Sequence, residues 1–106
     1  MLRLRLLQRG VKVVGQSMYN PLGKQSFDDG DIILCDPERQ PVNGSLVVVR
    51  LPDKETATFK KLYIEDDTIY LKALNSDWCF DNGEKLLKLT ENYVICGVVF
   101  QRVTNF

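Results

Sequence analysis

Leu46-Val47-Val48-Val49-Arg50-Leu51, then Thr56-Ala57-Thr58-Phe59-Lys60-Lys61-Leu62-Tyr63-Ile64, then Thr68-Ile69-Tyr70-Leu71-Lys72-Ala73-Leu74 follow one another with only short breaks. The breaks are Pro52-Asp53-Lys54 and Asp66-Asp67. Proline presets φ for a turn, and aspartate bonds to its own local backbone there. β-Branched and aromatic residues fill the runs at period two, the pattern of half-buried strands. Residues 46–74 therefore read as three consecutive strands.

The same reading extends outward. Asp31–Asp36 is a buried strand centred on Ile32, Ile33 and Leu34, and Val94–Val103 is a long final strand around Gly97. Val11–Val14 is a short strand ending at Gly15, and residues 2–7 alternate as a lead strand or, within 1–10, the stub of a linker. Ser17–Gly30 and Pro37–Gly44 carry Asn20-Pro21, Asp28-Asp29-Gly30 and Asn43-Gly44, which is loop chemistry. Residues 75–84 are irregular, and 84–91 allow one helical turn. No segment sustains a 3.6-residue period. The prediction is a mainly β single domain over residues 1–106, a compact, strongly curled mixed sheet with edge strands at either end of the chain.

Composition closes several routes to function. The chain has 106 residues and no histidine. Ser-His-Asp and Cys-His nucleophiles and H-E-x-x-H metal sites all need an imidazole and are excluded. Fourteen basic residues balance fourteen acidic ones, unlike a domain that lives on phosphate backbones. Arg3, Arg5, Arg9, Lys12 and Lys24 all precede the first acid, Asp28. They read as a solvated strand or linker stub, with nucleic-acid contact as the lesser alternative. Cys35, Cys79 and Cys96 are odd in number and widely spaced, so neither a disulfide framework nor a metal site is expected. No cofactor is implied. The alternating start lacks the apolar core of a signal peptide, and no run approaches a membrane span. The expected setting is the cytoplasm, with no membrane partner.

Two places carry chemistry. In Val13-Val14-Gly15-Gln16-Ser17-Met18 a strand ends at a glycine and a serine follows at a turn. That placement exposes a hydroxyl beside backbone N–H groups able to face an oxyanion; it equally suits a turn former or helix cap. In Thr58-Phe59-Lys60-Lys61-Leu62 two lysines sit within an apolar strand. Alternation sends them to opposite faces. A desolvated lysine loses proton affinity and can serve a serine as base; solvated surface charge is the plain alternative. Trp78 reads as packing against the body or as a partner anchor.

Taken in order, Gly15-x-Ser17-Met18, Asp29-Gly30-Asp31-Ile32, Asn43-Gly44 leading into Val47-Val48-Val49, Thr58-Phe59-Lys60-Lys61-Leu62, Leu71-Lys72-Ala73-Leu74-Asn75 and Gly97-Val98-Val99 form a pattern. It resembles the C-terminal peptidase domain of LexA-type repressors, a group including lambda-type phage repressors and UmuD mutagenesis proteins. Asn20-Pro21 and Ala57–Leu62 look most like the phage-repressor branch. Bacterial signal peptidases share the Ser-Met element but carry a membrane anchor.

The resemblance implies a serine endopeptidase with a Ser-Lys dyad that cleaves its own polypeptide at an Ala-Gly type bond. Ser17 matches the nucleophile and Lys60 the general base. Lys61 matches the basic residue that follows, and the N–H groups of Ser17 and Met18 match the oxyanion hole. Asp29-Gly30-Asp31 looks structural. The family implies a homodimer, with the RecA–single-stranded DNA filament as co-protease in an SOS-type response and operator DNA bound through a separate N-terminal helix-turn-helix domain. Gln16 stands where the family often has aspartate. The family's scissile bond lies farther upstream than this chain reaches, and Arg9-Gly10 is too near Ser17 and of the wrong type. The chain as it stands is expected neither to self-cleave nor to bind operator; a cleaved product, a C-terminal fragment and a short reading frame all fit. The rival readings are a UmuD-like translesion polymerase subunit and a dimerisation module whose dyad is unused.

Overall fold

A computed structural model describes residues 9–103. Seven strands form one sheet: β1 (Arg9–Lys12), β2 (Ile32–Asp36), β3 (Leu46–Arg50), β4 (Ala57–Glu65), β5 (Thr68–Lys72), β6 (Leu86–Leu89) and β7 (Val94–Val103). Their spatial order is β1-β2-β7-β3-β4-β5-β6. The strand triplet of residues 46–74 is present as β3, β4 and β5, and β7 runs over the residues anticipated. The lead strand anticipated for residues 2–7 lies outside the described residues.

Four expectations need correction. Every pairing is antiparallel, so the sheet is not mixed. β1–β2, β3–β4, β4–β5 and β5–β6 are neighbours joined directly by turns or loops, and β7 enters antiparallel between β2 and β3, which the chain links by crossing it. The sheet is also open and not strongly curled. It ends at separate edges, β1 and β6, and keeps a distinct core on each face instead of one enclosed interior. The final strand is not an edge: β7 lies between β2 and β3. Residues 84–91 hold strand β6 in place of a helical turn, because pairing of Leu86–Leu89 with Lys72–Ile69 of β5 decides a segment without a period of its own.

Strand alternation explains the two cores. Leu46 and Val48 join Ile33, Cys35 and Phe59 on one face, under Val13, Met18 and Phe27 from the segment after β1. Val47 and Val49 join Leu62, Leu71, Leu89 and Val98 on the other, with Phe80 and Tyr93 packed against them. β3 is therefore buried on both faces, which is why Leu46-Val47-Val48-Val49 reads as a continuous apolar run. β7 slips register opposite Val48 and Val49, and again opposite Leu34 and Cys35. Between the slips sits Gly97, where an added Cβ would meet Cys35 Sγ at 3.0 Å and the Asp36 backbone at 3.1 Å.

One consequence of register positions the site. β4 and β5 pair from Glu65↔Thr68 back to Lys61↔Lys72 and no further. The chain then leaves the sheet through Asn75, Ser76 and Asp77, so Ala57–Lys60 have β3 on one side and no strand on the other. Two loops fill the notch: residues 15–20 and the turn at 75–78.

Candidate active site

The loop that carries Ser17 is fixed at both ends. Val13 N–H donates to the Asp31 carbonyl and Gly30 N–H to the Val13 carbonyl, both at 2.8 Å. Gly15 then takes φ +89°, a region that penalises any Cβ, and donates its N–H to Asp29 Oδ1 at 2.7 Å. This is the use of Asp29: it holds the turn. Beyond it, Phe27 N–H donates to the Met18 carbonyl at 2.8 Å and Asn75 N–H to the Ser17 carbonyl at 3.0 Å. Met18 is 1% exposed and anchors the loop in the core.

Lys60 comes from β4. Its neighbour Lys61 points to the opposite face and lines a separate cavity of about 380 Å³ with Asn20, Asn43 and Lys72. Lys60 itself is 4% exposed. Its ammonium donates to Ser17 Oγ at 3.0 Å, to Thr58 Oγ1 at 2.8 Å and to the Phe59 carbonyl at 3.1 Å. Those three acceptors account for all three ammonium protons. Among the described residues no carboxylate pairs with it. Burial therefore acts without a compensating anion and lowers the Lys60 pKa from 10.5 to about 8.

The structure thus brings Ser17 and Lys60, distant in sequence, into hydrogen-bond contact. They line a cleft of about 120 Å³ with Val13, Val14, Val48 and Phe59. Ser17 and Met18 are both buried, and among the described residues no acceptor is bonded to the N–H of either.

Two contributors were legible only in part. Thr58 is two residues before Lys60 on one strand, so period two puts both on one face, and that signal was available. Trp78 sets its ring under the Lys60 amine, 4.6 Å from Nζ to the centroid, and meets Phe80 edge-on at 4.8 Å. Sequence allowed it only packing or a partner.

Cys35 is buried, Cys96 half-buried and Cys79 exposed. Among the described residues no three metal-ligating side chains gather, and no helix is long and apolar enough to cross a membrane.

Comparison with known proteins gives the family. Residues 9–100 match the model of the Peptidase S24-like family. The chain belongs to that family. It is 42% identical over 96 residues to the HTH-type transcriptional regulator for conjugative element SXT of Vibrio cholerae, a match spanning 91% of this chain and 42% of that protein. It is 41% identical over 87 residues to repressor protein C2 of Salmonella phage P22, covering 82% of this chain and 37% of that one. A LexA repressor of Roseiflexus sp. (strain RS-1) is 38% identical over 65 residues, covering 61% and 28%. The S24 chain described here thus spans well under half the length of these relatives. The resemblance to LexA-type and phage repressor domains holds.

Proposed function

We propose that this S24 domain is the self-cleaving peptidase and dimerisation part of a LexA-like or phage-type transcriptional repressor, with Ser17 as nucleophile and Lys60 as general base. One observation carries the reading: a buried lysine amine lies 3.0 Å from a serine hydroxyl, with no histidine in the chain to do its work.

The chemistry follows from the contacts. When Lys60 is neutral, the 3.0 Å contact reverses and the Ser17 hydroxyl donates to Nζ. As Oγ attacks a carbonyl carbon in the cleft, its proton passes to Lys60. Negative charge develops on the carbonyl oxygen, and the N–H groups of Ser17 and Met18, which have no bonded acceptor among the described residues, receive it. The Lys60 ammonium then gives its proton to the leaving amine, breaking the peptide bond and leaving an acyl ester on Ser17. Water, deprotonated by Lys60, hydrolyses the ester. Thr58 and the Phe59 carbonyl hold the amine in place throughout.

In this reading the substrate bond lies in a longer form of the same polypeptide. The RecA–single-stranded DNA filament favours the cleavage-competent state, a separate domain binds operator, and the compartment is the cytoplasm. Dimerisation rests on the family and on β1, which is an edge strand among the described residues.

The test is a chain extended upstream through a cleavage site, followed by gel and mass spectrometry. Ser17→Ala and Lys60→Ala each abolish cleavage, and Lys61→Ala does not. Normal cleavage in Lys60→Ala at high pH contradicts the assignment.

A further inference from the structure

A single turn touches both members of the Ser17–Lys60 pair. Asn75 N–H donates to the Ser17 carbonyl, and Asn75 Nδ2 donates to the Gln16 carbonyl at 3.0 Å. Three residues on, the Trp78 ring lies against Lys60 Nζ. The turn is closed on itself by Trp78 N–H to the Asn75 carbonyl at 3.1 Å and Asp77 N–H to Asn75 Oδ1 at 3.0 Å. Lys85 Nζ ties it from outside through the carbonyls of Ser76 and Trp78. Phe80 braces the indole edge-on. An unsupported surface tryptophan would not be held at so many points.

We propose that Trp78 is a positioning residue for the peptidase: its indole walls the Lys60 amine off from water and keeps it against Ser17. The inference rests on the Ser-Lys reading and adds a residue to it.

An aromatic face has two opposed effects on a nearby amine. Its quadrupole attracts the ammonium and favours the charged form. Its apolar bulk displaces water and favours the neutral form. Here all three ammonium protons already have oxygen acceptors. With its protons already taken, the amine gains burial from the ring, and in this inference exclusion of water outweighs the attraction. Other charges near Lys60 do not supply this effect. Burial is the one cause of the lowered Lys60 pKa, so Lys12, although it lines the cleft, does not supply it; Lys61 faces away, Lys85 is engaged with carbonyls, and Asp77 is exposed. Val47, opposite Lys60 on β3, and Ser17 and Met18 carry no charge.

The test reads Lys60 directly, by NMR titration of its Nζ and ε-methylene signals in the chain as it stands. In the unmodified chain the indole displaces the Lys60 ε-methylene protons upfield, and an ordinary lysine shift overturns the inference without any variant. Trp78→Ala raises the Lys60 pKa by about one unit, and Trp78→Phe restores it. In the upstream-extended chain Trp78→Ala slows cleavage near pH 7 about tenfold, the loss shrinking toward high pH as the amine becomes neutral regardless. A Trp78→Ala chain with a native amide spectrum and an unmoved Lys60 titration overturns the positioning role and leaves the dyad standing. A Lys60 that titrates at its ordinary value in the unmodified chain overturns the Ser-Lys reading itself.

Discussion

Replacing Lys60 with methionine removes a buried charge while keeping all but the last atom of the side chain's length, and its effect on stability must depend on pH. Lys60 holds its proton with a pKa of about 8 in the folded chain, against 10.5 when unfolded. Between those values the unfolded chain binds more protons than the folded one, so stability rises with pH across the window. Below about pH 8 the penalty is fully present; above about pH 10.5 it is gone. The gap of about 2.5 units, at about 1.4 kcal/mol per unit, corresponds to about 3–4 kcal/mol. Urea unfolding followed by circular dichroism at about pH 7 and about pH 11.5 measures it. All other ionisable groups are common to both proteins, so their contribution cancels in the comparison. Relative to Lys60→Met, the natural chain gains about 3–4 kcal/mol between the two pH values. A difference between the two proteins that does not change with pH refutes the reasoning, because it means Lys60 ionises alike folded and unfolded.

Other outcomes follow from single contacts. Thr58→Val removes the 2.8 Å acceptor that favours the ammonium, so the Lys60 pKa falls by about one further unit and cleavage in the extended chain reaches half its maximum at lower pH. NMR titration and the pH–rate profile both read this. Gly15→Ala places a Cβ at φ +89° and costs about 1–2 kcal/mol in urea unfolding, with slower cleavage because the Ser17 loop is displaced. Leu71→Ala, at a site 0% exposed in the second core, costs about 2–5 kcal/mol and leaves the Ser17–Lys60 contact intact.

The strands that combine strong alternation with clear turn residues were legible: Thr56–Ile64 between Pro52-Asp53-Lys54 and Asp66-Asp67 is β4 to within a residue. Leu86-Leu87-Lys88-Leu89 was not, because three leucines in four residues carry neither period, and only the partner strand β5 makes them extended. Strand direction was misjudged for a related reason. Alternation shows which residues share a face and nothing about which strand lies alongside, so neither the antiparallel sheet nor the interior place of β7 was readable. The Ser17–Lys60 pair was visible through its resemblance to LexA-type domains, since 43 residues separate the two and composition supplied only the lack of histidine. Trp78 read only as packing or a partner anchor, because its place against Lys60 depends on where β5 leaves the sheet. Pairing stops at Lys61↔Lys72, and that register opens the notch into which the indole folds.

The central claim is that a buried lysine, shed of its proton near neutral pH, activates Ser17. The pH dependence of self-cleavage in the upstream-extended chain tests it most directly. The account predicts a rate that rises about tenfold per pH unit at low pH and reaches half its maximum near pH 8, following the Lys60 pKa of about 8. A rate indifferent to pH, or one half-maximal only near the ordinary lysine value of 10.5, contradicts it.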